Sequence, residues 1–163
     1  KSKGSCPRQD SPQYELQADQ NDGQACWNAA RVEAGIALTQ WLATNPTGNS
    51  SVHQLIMGDL NAYRMEDPVR KLEQAGWQYL KDEQNPGFSY AFRGRSGSLD
   101  HALASPELAA HLHTLEHWSI NADEPILLDY SSRYKSAEAQ QRLYSASPYR
   151  SSDHDPVIVT FRF

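Results

Sequence analysis

The residues able to do chemistry in this chain are gathered into three short segments, and each adjoins a stretch that reads as a β-strand. The segments are MGDLNAY with Asp59 and Asn61, SLDHALA with Asp100 and His101, and SSDHDP with Asp153, His154 and Asp155. His53 to Met57 leads into the first as a short apolar run that delivers Gly58 and Asp59 to a strand's C-terminal end, where α/β folds place their chemistry. The run PVIVTFRF, Pro156 to Phe163, follows the third and is the clearest strand in the chain. Oxygen ligands offered from several strand ends suit a hard cation such as Mg²⁺.

Each segment also has a plain structural reading. Asp59 could cap a turn, Asn61 could satisfy its own loop, and Asp153 and Asp155 could be solvated acids ahead of Pro156. Asp100 is harder to dismiss, because a carboxylate inside an apolar strand needs a partner.

The remaining pattern mixes helices with strands, without a repeat or a linker-like break, and residues 1–163 read as one unit with no internal boundary. WNAARVEAGIALTQWLA, Trp27 to Ala43, carries apolar residues at helical spacing and ends before Asn45-Pro46 and Gly48. A short helix, VRKLEQAG, follows Pro68, and WQYL follows as a strand. FSYAFRG and SLDHALA read as two strands of a hairpin joined through Arg93 to Gly97. Ser105-Pro106-Glu107 starts a helical turn with serine as cap, and LEHWSI is a further strand. Asn121 to Ser152 is polar and reads as a long surface loop with a helical piece near Ala137 to Leu143. Trp27, Trp41, Trp77 and Trp118 read as core or half-core.

Composition bounds the partners. A net charge of -5 argues against a protein that coats nucleic acid by charge alone. It weighs less against a metal nuclease, in which cations meet the phosphate and local basic groups such as Lys1, Lys3, Arg93 and Arg95 guide the strand. No stretch approaches the roughly 18 apolar residues of a spanning helix; a soluble chain is expected, with any export signal upstream of Lys1. Cys6 and Cys26 flank a polar stretch that cannot fold by itself. A bridge between them would contribute about 3 kcal/mol in the chain-entropy model, and two free thiols are the other reading; no neighbouring Cys or paired His completes a zinc set. A bridge would place the protein outside the cytoplasm, in an extracellular or periplasmic setting.

Taken in order, G-D-L-N, L-D-H and S-D-H-D-P before a terminal strand resemble the C-terminal half of the endonuclease/exonuclease/phosphatase family. The likeness is sharper with bacterial extracellular nucleases, through the motifs at Lys1 to Pro7, Asp22 to Arg31, Asn121 to Pro125 and Ser147 to Pro156. It spans essentially the whole chain. The resemblance implies an α/β chain of α+β type, mostly antiparallel with flanking helices, forming one half of a four-layer α/β/β/α sandwich. It implies a secreted nuclease that hydrolyses DNA, with RNA as the other substrate option, using Mg²⁺ or Mn²⁺, Ca²⁺ being a further option. Asp59 would position the attacking water and contact the metal, Asn61 would contact the water or a phosphate oxygen, and Asp153 would help hold the metal. His154 would act at the phosphate with Asp100 on its far nitrogen. An upstream Asn, a metal-binding Glu and a second His have no matching position here, so the missing N-terminal half is an expected partner and the chain alone is expected to be crippled.

Other residues carry weaker claims. Arg64, Arg93 and Arg95 are candidate phosphate contacts, and Tyr90 and Phe92 are candidates for stacking on bases or a sugar, with solvated surface and core packing as the competing readings. His101 follows Asp100 and should point to the opposite face; His111, His113 and His117 lack a carboxylate set at ligand spacing. Two other functions stay open: a phospholipid or phosphoinositide phosphodiesterase of the same fold, which would need an exposed apolar loop that Asn121 to Ser152 offers little of, and an inactive half-domain that binds a partner chain. No membrane partner is expected.

Overall fold

The structure is a computed structural model that describes residues 5–81, 86–133 and 135–163. It is a mixed α+β fold with antiparallel sheets and a few helices. Helix α1 (Tyr14–Gln17) is a single turn, and α2 (Asn28–Ala43) is the long one. Trp27, expected inside α2, instead takes a left-handed conformation with φ 66° and stands as its N-cap. The Cys6–Cys26 disulfide is formed and ties the polar N-terminal stretch to the entrance of α2. Helix α3 (Asp67–Gln74) starts with Pro68 in its first turn, where the missing N–H costs nothing.

Strand β1 (Leu55–Asp59), β2 (Gln78–Tyr79) and β5 (Asp100–Ala104) make one sheet in the order β1-β5-β2, all antiparallel. The β1–β5 register runs from Leu55 opposite Ala104 to Asp59 opposite Asp100. Strand alternation then divides the residues between two faces. Ile56 and Leu103 meet Leu38 and Leu42 of α2 and Leu72 of α3. Ala102 and Ala104 meet Leu80, Leu108 and Leu115, with Val157, Val159 and Phe161 packed behind. These last belong to a two-stranded ribbon of β6 (Leu112–His117) and β7 (Val157–Phe161). Covered on both faces, β5 needs apolar residues on both, which Ala102, Leu103 and Ala104 supply. Beside it, Leu55 and Met57 of the outer strand β1 are exposed on the face that Ala102 and Ala104 share.

The expected hairpin is made by other partners. FSYAFRG does fold back, as β3 (Tyr90–Phe92), but onto β4 (Arg95–Gly97), and SLDHALA pairs with β1 and β2 instead. Arg93 and Gly94 both take positive φ, 50° and 74°, the backbone that a two-residue hairpin turn requires. Two other expectations are corrected: Trp41 and Trp118 are exposed rather than core, and LEHWSI is strand only as far as His117, in a β6 that begins at Leu112. Helix α4 (Pro106–Ala109) is capped by Ser105, whose Oγ accepts from Leu108 N, and α5 (Ala137–Leu143) occupies the helical piece expected there. Among the described residues no helix is long and apolar enough to cross a membrane.

Two buried polar groups anchor the frame. Arg31 of α2 and Glu66, the residue before α3, form an ion pair at 2.5 Å with side chains 1% and 5% exposed. The same Arg31 Nη1 donates to Asn61 O at 2.8 Å, joining α2 to the turn that follows β1. His101 lies on the helix side of the sheet, where its Nε2 meets Ala62 O at 2.7 Å and its Nδ1 meets the Tyr79 hydroxyl at 2.9 Å.

Glu66→Ala strands the Arg31 charge in the interior and should lower unfolding free energy by about 3–5 kcal/mol, read from urea denaturation; a loss well under 1 kcal/mol would contradict the buried pair. Burial lowers the His101 pKa, so the unfolded chain takes up protons more readily than the native one. That contribution to stability is complete above the unfolded histidine value of about 6.5 and declines as pH falls below it. Unfolding midpoints measured at descending pH should drop across this window, and His101→Gln should flatten the slope.

Candidate functional site

Strand β1 delivers Asp59 to its C-terminal end, and the next turn fastens it. Asn61 adopts φ 49°, a left-handed conformation that Asn tolerates better than most residues. From there its backbone N–H donates to Asp59 Oδ1 at 2.7 Å and its side-chain amide donates to Asp59 Oδ2 at 2.9 Å. Directly across the strand pair stands Asp100, the first residue of β5. The two carboxylates share one face, an arrangement that is destabilising unless positive charge lies nearby.

His154 supplies the third group. Its Nδ1 lies 2.6 Å from Asp100 Oδ2, so the carboxylate holds the proton on Nδ1 and leaves Nε2 as the other nitrogen. Tyr90 pairs with His154 as an isolated antiparallel bridge, and their rings lie 4.7 Å apart. Burial raises the Tyr90 phenol first, and the negative charges of Asp153 and Asp59 add to it against the opposing Arg150. A phenol kept protonated is a hydrogen-bond donor toward an anion. Ligand atoms of Asp59, Asp100 and His154 all lie within 4.8 Å of one another, with Asp59 exposed and the other two half-buried. Two facing carboxylates with an imidazole beside them are close enough together to hold one metal ion, the carboxylates being the hard oxygen ligands of the set.

The other expected residues are distributed as follows. Asp153 is half-buried on the His154 loop, near enough for its charge to reach Tyr90, and lies outside the group of three. Arg64 is engaged elsewhere: it makes two bonds to Glu73, at 2.8 and 2.6 Å, and stacks 4.1 Å over the Tyr79 ring. Arg93 sits at the exposed β3–β4 turn, 5.1 Å over the ring of Phe92, which itself stacks on Tyr90. Arg95 is exposed on β4, and Lys1 and Lys3 lie outside the described residues. His111 bonds Arg162 O and packs on His53 and Phe163; His117 lies 3.4 Å from Ser98 Oγ and is lowered by burial.

Four buried polar residues around His154 went unassigned at the level of sequence: Ser89, Asn121, Arg150 and Asp155. Asn121 and Arg150 lie inside the motifs Asn121 to Pro125 and Ser147 to Pro156, which was the available signal. Asp155, readable as a solvated loop acid, is instead buried, and its Oδ1 accepts from the N–H groups of Ile120, Asn121 and Ala122. Ser89 had no signal at all. Comparison with protein-family models, with curated proteins and with solved structures gave no match.

Manganese titrated into the ¹⁵N-labelled chain should broaden amide signals around Asp59, Asp100 and His154 before any others, by paramagnetic relaxation. The double variant Asp59→Asn, Asp100→Asn should abolish this selectivity. Uniform broadening in the unaltered chain would remove the case for a cation site.

Proposed function

We propose that this chain supplies one wall of the active site of a secreted, divalent-metal-dependent phosphodiesterase of the endonuclease/exonuclease/phosphatase type, and that its substrate is DNA. In this reading its sheet and helices are one half of a four-layer α/β/β/α sandwich. The observation that carries the proposal is the Asp100–His154 contact of 2.6 Å with Asp59 opposite Asp100 across the strands. The disulfide agrees with a setting outside the cytoplasm. Exposed Leu55 and Met57 agree with a sheet face that a second half would cover.

Each residue then has a task. Asp59, held by Asn61, orients the attacking water, and Asn61 contacts that water or a phosphate oxygen. His154 presents Nε2 to the phosphate for proton transfer or charge stabilisation, while Asp100 fixes its tautomer. Tyr90 donates from its phenol to a phosphate oxygen and backs the His154 ring. A bound Mg²⁺ or Mn²⁺, which Asp59 and Asp100 would hold with Asp153 nearby, would offset the negative charge on the phosphate oxygens during displacement.

One observation favours a second reading. The stretch expected to be polar carries exposed apolar residues at a 3₁₀ turn, Ile126–Leu128, where Ile126 is 72% exposed, and Tyr144 at the end of α5 is 81% exposed. Such a surface suits approach to a lipid headgroup, as a phospholipid phosphodiesterase would require.

Plasmid DNA and phospholipid vesicles are the two substrates to assay, with Mg²⁺ and with chelator. The chain is tested alone and together with an upstream segment carrying the Asn, Glu and His that the resemblance calls for. Metal-dependent DNA cleavage is expected from the completed protein, reduced about 10²- to 10⁴-fold by His154→Ala. Undiminished cleavage by that variant would overturn the assignment. Hydrolysis of lipid but not DNA would select the second reading, and inactivity on both would leave a partner-binding half-domain.

A further inference from the structure

The Asp100–His154 contact joins two segments far apart in sequence, so something must hold both of them in place. One residue touches both. Ser89 is 0% exposed, and its Oγ accepts from the backbone N–H groups of Leu99 and Asp100, each at 3.1 Å. Its carbonyl accepts from Asp155 N at 2.7 Å, next to His154. A hydroxyl oxygen has two lone pairs for those two N–H groups; an aliphatic side chain at this fully buried position would take that acceptor from both.

We propose that Ser89 is a positioning residue for the Asp100–His154 pair, an inference that rests on the site assigned above. Its hydroxyl fixes the backbone at the start of β5 and thereby the carboxylate of Asp100. Its carbonyl fixes the loop that carries His154, and the following residue, Tyr90, bridges His154 directly. The far side of that loop is held independently. Asp155 Oδ1 takes the N–H groups of Ile120, Asn121 and Ala122, Asn121 Nδ2 donates to His154 O at 2.8 Å, and Arg150 Nη1 donates to Asn121 O at 2.7 Å. Loss of the Ser89 hydroxyl therefore leaves His154 in place and frees Asp100 to move away from it. The consequence is specific to the pair and does not require unfolding.

The test is proton NMR on this chain, observing the hydrogen-bonded proton on His154 Nδ1, assigned by its disappearance in Asp100→Asn. In Ser89→Ala that resonance should be lost or moved far upfield, while far-UV circular dichroism and most amide signals stay as in the unaltered chain. Ser89→Thr keeps the oxygen and should restore the resonance. A folded Ser89→Ala chain with an unchanged resonance overturns the proposal, as does a folded Ser89→Thr chain without it. Should Ser89→Ala fail to fold, amide exchange in the unaltered chain decides: Leu99 and Asp100 N–H should exchange as slowly as the core of β5, and rapid exchange of either overturns the assignment. None of these readouts uses DNA or a metal, so the positioning role and the nuclease reading can fail separately. Where the completed protein is active, Ser89→Ala should lower kcat and leave KM unchanged.

Discussion

The site depends on the antiparallel register of β1 and β5. With Asp59 opposite Asp100, both carboxylates fall on one face and His101 falls on the other, where it is buried against Ala62 and Tyr79. A slip of one residue would exchange Asp100 for His101 and turn Leu103 away from the helices. The apolar residues of β5 therefore fix the face on which its acid lies: the strand cannot bury Leu103 under α2 and α3 in this register without turning Asp100 to the side of Asp59.

Buried polar groups hold this arrangement from both sides. Behind β1, Arg31 joins Glu66 and Asn61 O, so the long helix is tied to the turn that grips Asp59. Beyond β5, Ser89, Asn121, Arg150 and Asp155 tie the ends of the long loop to the strand edge. A buried ion pair of this kind adds little net stability over an apolar pair of equal volume, yet breaking one half of it is costly. Such groups discourage alternative loop placements, because any other placement would leave charges or N–H groups without partners.

Exposed apolar residues gather in two places on the described surface. Leu55 and Met57 stand at the outer strand next to Asp59, and Ile126, Leu127 and Tyr130 project from the long loop. These patches lie on different elements and answer different requirements: one continues a sheet face already half covered by β6 and β7, the other belongs to a 3₁₀ turn beside α5.

Much of this was legible in the amino-acid sequence, wherever the controlling interactions are local. Ser105 with Pro106 started α4, the apolar spacing marked α2, and the apolar run after Pro156 made β7. The three acid and imidazole segments stood out before any fold was known, and two cysteines around a polar stretch pointed to the bridge that is formed. Tertiary structure decided what depends on partners distant in the chain. It gave SLDHALA to β1 and β2 rather than to FSYAFRG, buried Asp155 beneath three backbone N–H groups, committed Arg64 to Glu73, and left Trp41 and Trp118 in solvent. Strand pairing and polar burial are set by which surfaces remain to be covered once the whole chain has collapsed, whereas helix caps, turns and apolar periodicity are set within a few residues.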